Sequence, residues 1–153
     1  MAYFEWGVDL VIDNGPIDED HKVLVSLVNE LHTATSQGQG HDMVENLLQR
    51  LVSHTRDHLQ REEHIMSAAQ FPQLTEHLVG HNDFMDKLLE LQEKYRAGSI
   101  TVAPQLSALL RDWLSIHIRR YDRELLVFMK KSQKAQQATQ RSQRRPSQPK
   151  PGR

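Results

Sequence analysis

The chain predicts an all-α fold: an up-down-up-down antiparallel four-helix bundle preceded by an extended N-terminal arm. Three observations carry it. Apolar residues recur at helical spacing through four long segments; the breaks between them are short and carry Gly or Pro; strand-like patterning is confined to "WGVDLVI" near the start. Short connections between long amphipathic helices make neighbours antiparallel. At 153 residues with 38% apolar content, the chain suits one core rather than two.

The arm is expected to pack on the bundle through Phe4 and Trp6. The first helix reads from about Asp18, taken as its N-cap, to Gln37, where "QGQG" stops it. The second spans roughly 41–69 and is broken by Phe71 and Pro72. The third extends from about Gln73 to Ala97, with Gly98 just past its end. The fourth begins near Val102, carries Pro104 in its first turn, and continues to about Lys131 or beyond. Residues 1–129 make the bundle domain. From Lys130 onward there are eight Lys and Arg and no acids, while the other eleven bases face all twenty acids, so an acidic body near -9 carries a basic tail, 130–153, expected to fray into disorder. Its bland reading is a solubilising extension; its functional one is an electrostatic arm for an acidic partner or surface. No specific nucleic-acid motif accompanies it.

With no cysteine, disulfides and thiolate metal sites are excluded. No basic leader with an apolar core opens the chain and no apolar run reaches membrane-spanning length, so a cytoplasmic protein is expected.

The core-facing stripes hold the chemistry. In the second helix the stripe runs Val44, Leu47, Leu51, His54, His58, Glu62 and Ile65; in the third, Leu74, His77, His81, Phe84 and Leu88; in the fourth, Leu110, Trp113, Leu114, His117, Asp122 and Leu125; the first opens with His21 before Leu24 and Val28. Buried imidazoles and carboxylates without partners cost several kcal/mol each. In an antiparallel bundle rising about 1.5 Å per residue, His21, His58, Glu62, His77, His81, His117 and Asp122 come level with one another. They call for a common partner, and nitrogen and oxygen donors suit iron, manganese or zinc, with two carboxylates able to bridge a dinuclear centre. His117 and Asp122 are five apart, about 140° on an ideal α-helix; a π-bulge would turn both inward. His54 stands two turns from Glu62, about 12 Å of rise, and is assigned to packing or a supporting shell. His32, His41 and His64 are peripheral.

His21 in "IDEDHK", His58 and Glu62 in "HLQRE", His77 and His81 in "HLVGH", and His117 and Asp122 in "HIRRYD" resemble the ligand set of hemerythrins, in order and spacing. "RDWLSIHI" adds to the likeness, which covers about residues 3–129. The resemblance implies a non-heme di-iron site, with His77, His81 and His117 on one iron, His21 and His58 on the other, and Glu62, Asp122 and a solvent oxygen bridging. Two six-coordinate irons would then keep one position open, on the iron held by His21 and His58, for dioxygen. Leu24, Leu59, Trp113, Leu114 and Ile118 are expected to line that pocket, a role compatible with ordinary core packing. The implied function is reversible oxygen binding for storage or delivery to an oxygen-using enzyme, by a non-enzyme expected to be monomeric. The alternatives are an oxygen or redox sensor, or a di-iron enzyme acting on peroxide or nitric oxide. A ferritin-like oxidase is disfavoured, since none of the nine histidines has a Glu three residues before it.

Overall fold

The computed structural model describes residues 2–144. Its helices are α1 (Pro16–Ser36), α2 (His41–Ala68), α3 (Leu74–Arg96), α4 (Val102–Ile116) and α5 (Arg123–Arg144); a π turn, His117–Asp122, joins the last two into one continuous rod. No strand occurs among the described residues. α1 packs on α2 and α4, and α3 on α2 and α4, closing a four-rod bundle around a core that includes Leu31, Leu48, Leu51, Leu88 and Leu106.

Three helix ends follow one chemical rule. After α1, α2 and α3 the chain turns left-handed at Gly38 (φ 65°), Gln70 (φ 55°) and Gly98 (φ 103°), and the next amide bonds back to the carbonyl five residues earlier: Gln39 to Ala34, Phe71 to Met66, Ser99 to Lys94. This closure satisfies carbonyls that the helix leaves open. At Phe71 it also turns the ring inward against Met66.

The start of α1 differs from the sequence expectation. Gly15 and Pro16 begin the helix, and the capping oxygens belong to Asp13, which accepts from the amides of Gly15, Ile17 and Asp18. Asp18 is instead buried and accepts from the backbone of Ile12 and Asn14, 2.8 Å each. An aspartate ahead of an apolar run looks like a cap in either role; the proline at the first helical position decides between them. Asp18 thereby latches the arm, whose Phe4, Leu10 and Ile12 are buried in the core. Asn29 takes both the amide and the carbonyl of Phe4, at 2.7 and 2.8 Å. Asp18→Ala leaves two amides without acceptors, so we expect a loss of about 2 kcal/mol in chemical denaturation; unchanged stability would show that the latch carries no load.

α5 runs to Arg144, well past Lys131. Beyond Met129 the apolar stripe ends, but alanines, glutamines and lysines keep the helical preference without a packing partner. Lys130, Lys134 and Arg141 share one side of this exposed stretch by their spacing. The part of the expected disordered tail after Arg144 lies outside the described residues.

Candidate metal centre

His21, the residues His58 and Glu62 one turn apart on α2, His81 on α3, and the two ends of the π turn, His117 and Asp122, converge in the bundle interior, toward the end where α1 and α3 begin and α2 finishes. Their ligating atoms form two groups within each of which all atoms lie within 4.8 Å: His21, His58, Glu62 and Asp122, and Glu62, His81 and His117. Glu62 belongs to both. His21 and Asp122 are each 0% exposed and Glu62 1%, which places three ionisable side chains where apolar ones are the norm. His77 is buried at the margin, one turn before His81, with its ring against Phe71 and Tyr121 rather than within either tight group.

The π turn is what makes His117 and Asp122 neighbours. Its wider winding absorbs one extra residue, so two side chains five apart both face inward, and His117 Nε2 lies 3.0 Å from Asp122 Oδ1. Trp113 sets the plane of His117 by stacking on it at 4.4 Å, and is itself backed by Phe84 at 3.8 Å.

The electrostatics are those of a knot of donors and acids taken out of water. Burial disfavours a charged His117, but Asp122 and Glu62 override it and raise the imidazole to about 10. His58 is likewise opposed by burial yet lifted to about 9 by Asp20 and Glu62. Burial would raise Glu62, but His117 and His58 beside it hold the carboxyl well below the usual range. His81 goes the other way, lowered to about 4 by burial and by the charge of His117. A pH profile follows for the metal-free chain. Histidines raised on folding contribute stability that is whole below about 6.5 and drains away as pH climbs through about 9 and 10. His81, lowered on folding, costs stability as pH falls from about 6.5 toward 4. The chelated protein should therefore melt highest near pH 6.5 and lose stability on either side, and metal, which takes imidazoles in neutral form, should flatten the alkaline fall. Parallel melting profiles with and without metal would count against the cluster as a metal site.

The chain's own hydrogen bonds do not satisfy this cluster. Glu62 Oε1, both Asp122 oxygens, His77 Nε2 and His81 Nε2 are buried with no hydrogen-bond partner, as is His21 Nδ1. Several of these atoms stand 3.0 to 3.3 Å from a neighbouring donor set without the geometry of a shared proton. Buried polar atoms are almost always paired, so an assembly of orphaned nitrogens and carboxylate oxygens fits a cation, and its sulfur-free donor set fits iron.

Beside the cluster is a small cavity of ≈ 10 Å³, lined by Leu24, Val28, Leu51, Thr55, Phe84, Leu110, Trp113 and Leu114. Three of the expected lining residues, Leu24, Trp113 and Leu114, stand on it. Leu59 and Ile118 are buried but do not line it.

His54 points to solvent and the inward place is taken by Thr55, whose hydroxyl is engaged by the Leu51 carbonyl at 2.7 Å. The 3.6-residue period drifts across α2, so the buried path runs Leu51, Thr55, His58, Glu62 and not through His54. Sequence reasoning missed Asp20, Arg61 and Glu63. Asp20 Oδ2 stands 3.2 Å from His58 Nδ1, and Glu63 Oε1 stands 2.9 Å from His81 Nδ1. The only signal was position, since each acid adjoins a cluster residue in sequence and so faces a neighbouring helix. His32 stacks on Tyr3, His41 on Tyr95, and His64 is exposed.

Known proteins resemble the chain over the same span. A sequence model described as the Hemerythrin HHE cation binding domain matches residues 15–128. A bacteriohemerythrin of Pseudomonas aeruginosa (strain LESB58) is 34% identical over 122 residues, covering 80% of this chain and 78% of that one. One from Methylococcus capsulatus (strain ATCC 33009 / NCIMB 11132 / Bath) is 27% identical over 124 residues, covering 80% and 94%. A crystal structure of a hemerythrin mutant superposes with a TM-score of 0.77 at 26% identity, covering 84% of this chain and 98% of that one.

Proposed function

The chain belongs to the hemerythrin family, whose site is a non-heme di-iron centre, and we propose that it binds dioxygen reversibly there, for storage or delivery to oxygen-using enzymes, and is not itself an enzyme. In this reading His77, His81 and His117 hold one ion, His21 and His58 the other, and Glu62 and Asp122 lie between them. Bound iron would supply the redox-active, oxygen-binding chemistry. The rest is the work of the chain.

The observation that carries the reading is the pairing of an orphaned set of nitrogens and oxygens with an apolar cavity beside it. Neutral imidazoles outnumber carboxylates, a balance that leaves the site less anionic and disfavours iron states beyond those oxygen binding needs. Leu24, Trp113 and Leu114 keep the cavity apolar, and an apolar void of this size stays dry. Trp113 links the two halves, since it walls the cavity with one part and stacks on His117 with another. No described helix is long and apolar enough to cross a membrane.

The test is a cycle. Iron-loaded protein, reduced without air, is exposed to oxygen and then to argon while iron per chain and the visible spectrum are followed. Two irons with a charge-transfer band that appears under oxygen and fades under argon is the expected result. Two irons that oxidise once without return would favour the sensor or the peroxide- or nitric-oxide-processing enzyme; no stoichiometric iron would overturn the reading.

A further inference from the structure

Two carboxylates outside the proposed ligand set each end on one of its histidines. Asp20 on α1 reaches across to His58 on α2, and Glu63 on α2 reaches across to His81 on α3. In both contacts the outward nitrogen, Nδ1, faces the acid while Nε2 faces the cluster. His58 Nε2 lies 3.0 Å from Glu62 Oε2 and 2.9 Å from His21 Nε2, and His81 Nε2 is buried without a partner. The two braced histidines also fall in different groups, one with His21 and Asp122, the other with His117.

The two acids are not equivalent. Asp20 is gripped by Arg61 through two hydrogen bonds, Nε to Oδ2 at 2.9 Å and Nη2 to Oδ1 at 2.7 Å, so one carboxylate oxygen serves both the guanidinium and the imidazole. Among the described residues no Lys or Arg pairs with Glu63. A carboxylate accepting from Nδ1–H fixes the tautomer that leaves the Nε2 lone pair free, and makes the imidazole a stronger electron donor. A guanidinium on that carboxylate withdraws part of the effect.

We propose that Asp20 and Glu63 are positioning residues that hold His58 and His81 in the ligating tautomer, one for each metal position, and that Arg61 tempers Asp20, so the two positions are electronically unequal. The proposal rests on the ligand assignment given above. It names an asymmetry in the supports as well as in the ligands.

The experiment uses the full chain loaded with iron, comparing Asp20→Asn, Glu63→Gln and Arg61→Gln with Asp42→Asn, an exposed acid at the start of α2 that controls for net charge. Metal affinity is read by chelator competition and the midpoint potential by redox titration. Asp20→Asn and Glu63→Gln should each weaken one of the two ions about 10- to 100-fold and leave the other in place. Both should raise the potential, because a poorer donor stabilises ferric iron less. Arg61→Gln should lower it, since His58 then faces an untempered carboxylate. A purely structural strap would make Asp20→Asn and Arg61→Gln shift the potential alike, and that result, or variants indistinguishable from Asp42→Asn, overturns the proposal. Glu63→Gln repeats the test on another helix pair should Asp20→Asn fold poorly. If the unaltered chain takes up no iron, the ligand assignment itself fails; if it takes up two and the variants match it, only the bracing fails.

Discussion

Glu62→Ala should leave the chain with little or no iron, while His54→Ala keeps both ions. Glu62 is the one side chain present in both groups of converging ligand atoms, so its loss removes an oxygen from each metal position at once. It also strips His58 and His117 of a buried anion that both of them face. Removing one partner from a buried charged set costs about 3 to 5 kcal/mol before relaxation, so the metal-free variant should melt well below the parent at neutral pH. His54 looks outward and touches none of this. Iron per chain after identical loading separates the two; equal metal loss in both would mean that α2 sits in another register.

Trp113→Ala should keep iron yet lose durable oxygen cycling. The indole belongs to neither group of converging ligand atoms, but it is the middle of a stack that begins at Phe84 and ends at His117. Truncation opens a void where the cavity already lies, at a cost of about 3 kcal/mol. It also frees the His117 ring to tilt and lets water reach an apolar space. The expected signature is two irons, a depressed melting temperature, and a visible band that fades within a few oxygen–argon cycles. Trp113→Phe, which keeps a flat ring on His117, should recover much of that loss. A Trp113→Ala protein that cycles as often as the parent would remove the cavity wall from the account of oxygen binding.

How much of this was legible in the sequence depends on how local each feature is. Pairs one turn apart on one helix, His58 with Glu62 and His77 with His81, are written directly in the chain, because the helix alone fixes their shared face. The five-residue step from His117 to Asp122 could be read too, since only a widened turn lets both face inward. His54 was misplaced because a stripe extrapolated by fours drifts, and only the neighbouring helices decide whether position 54 or 55 is covered. Asp18 was misassigned because capping and latching demand the same short acid near a helix start; the difference lies in where the arm folds back. Asp20, Arg61 and Glu63 were legible only as neighbours of cluster residues in the sequence. Their meaning depends on the rotation of one helix against the next, which no spacing within a single helix records.

The π turn has a further consequence, at a distance from the metal. Wound as plain α-helix, the same residues would swing Asp122 and everything after it by about 100° around the rod. α5 inherits its azimuth from that turn, and with it the compass bearing of Lys130, Lys134 and Arg141 on the exposed extension. The need to bring one carboxylate inward thus decides which way the chain's positive side faces the outside world.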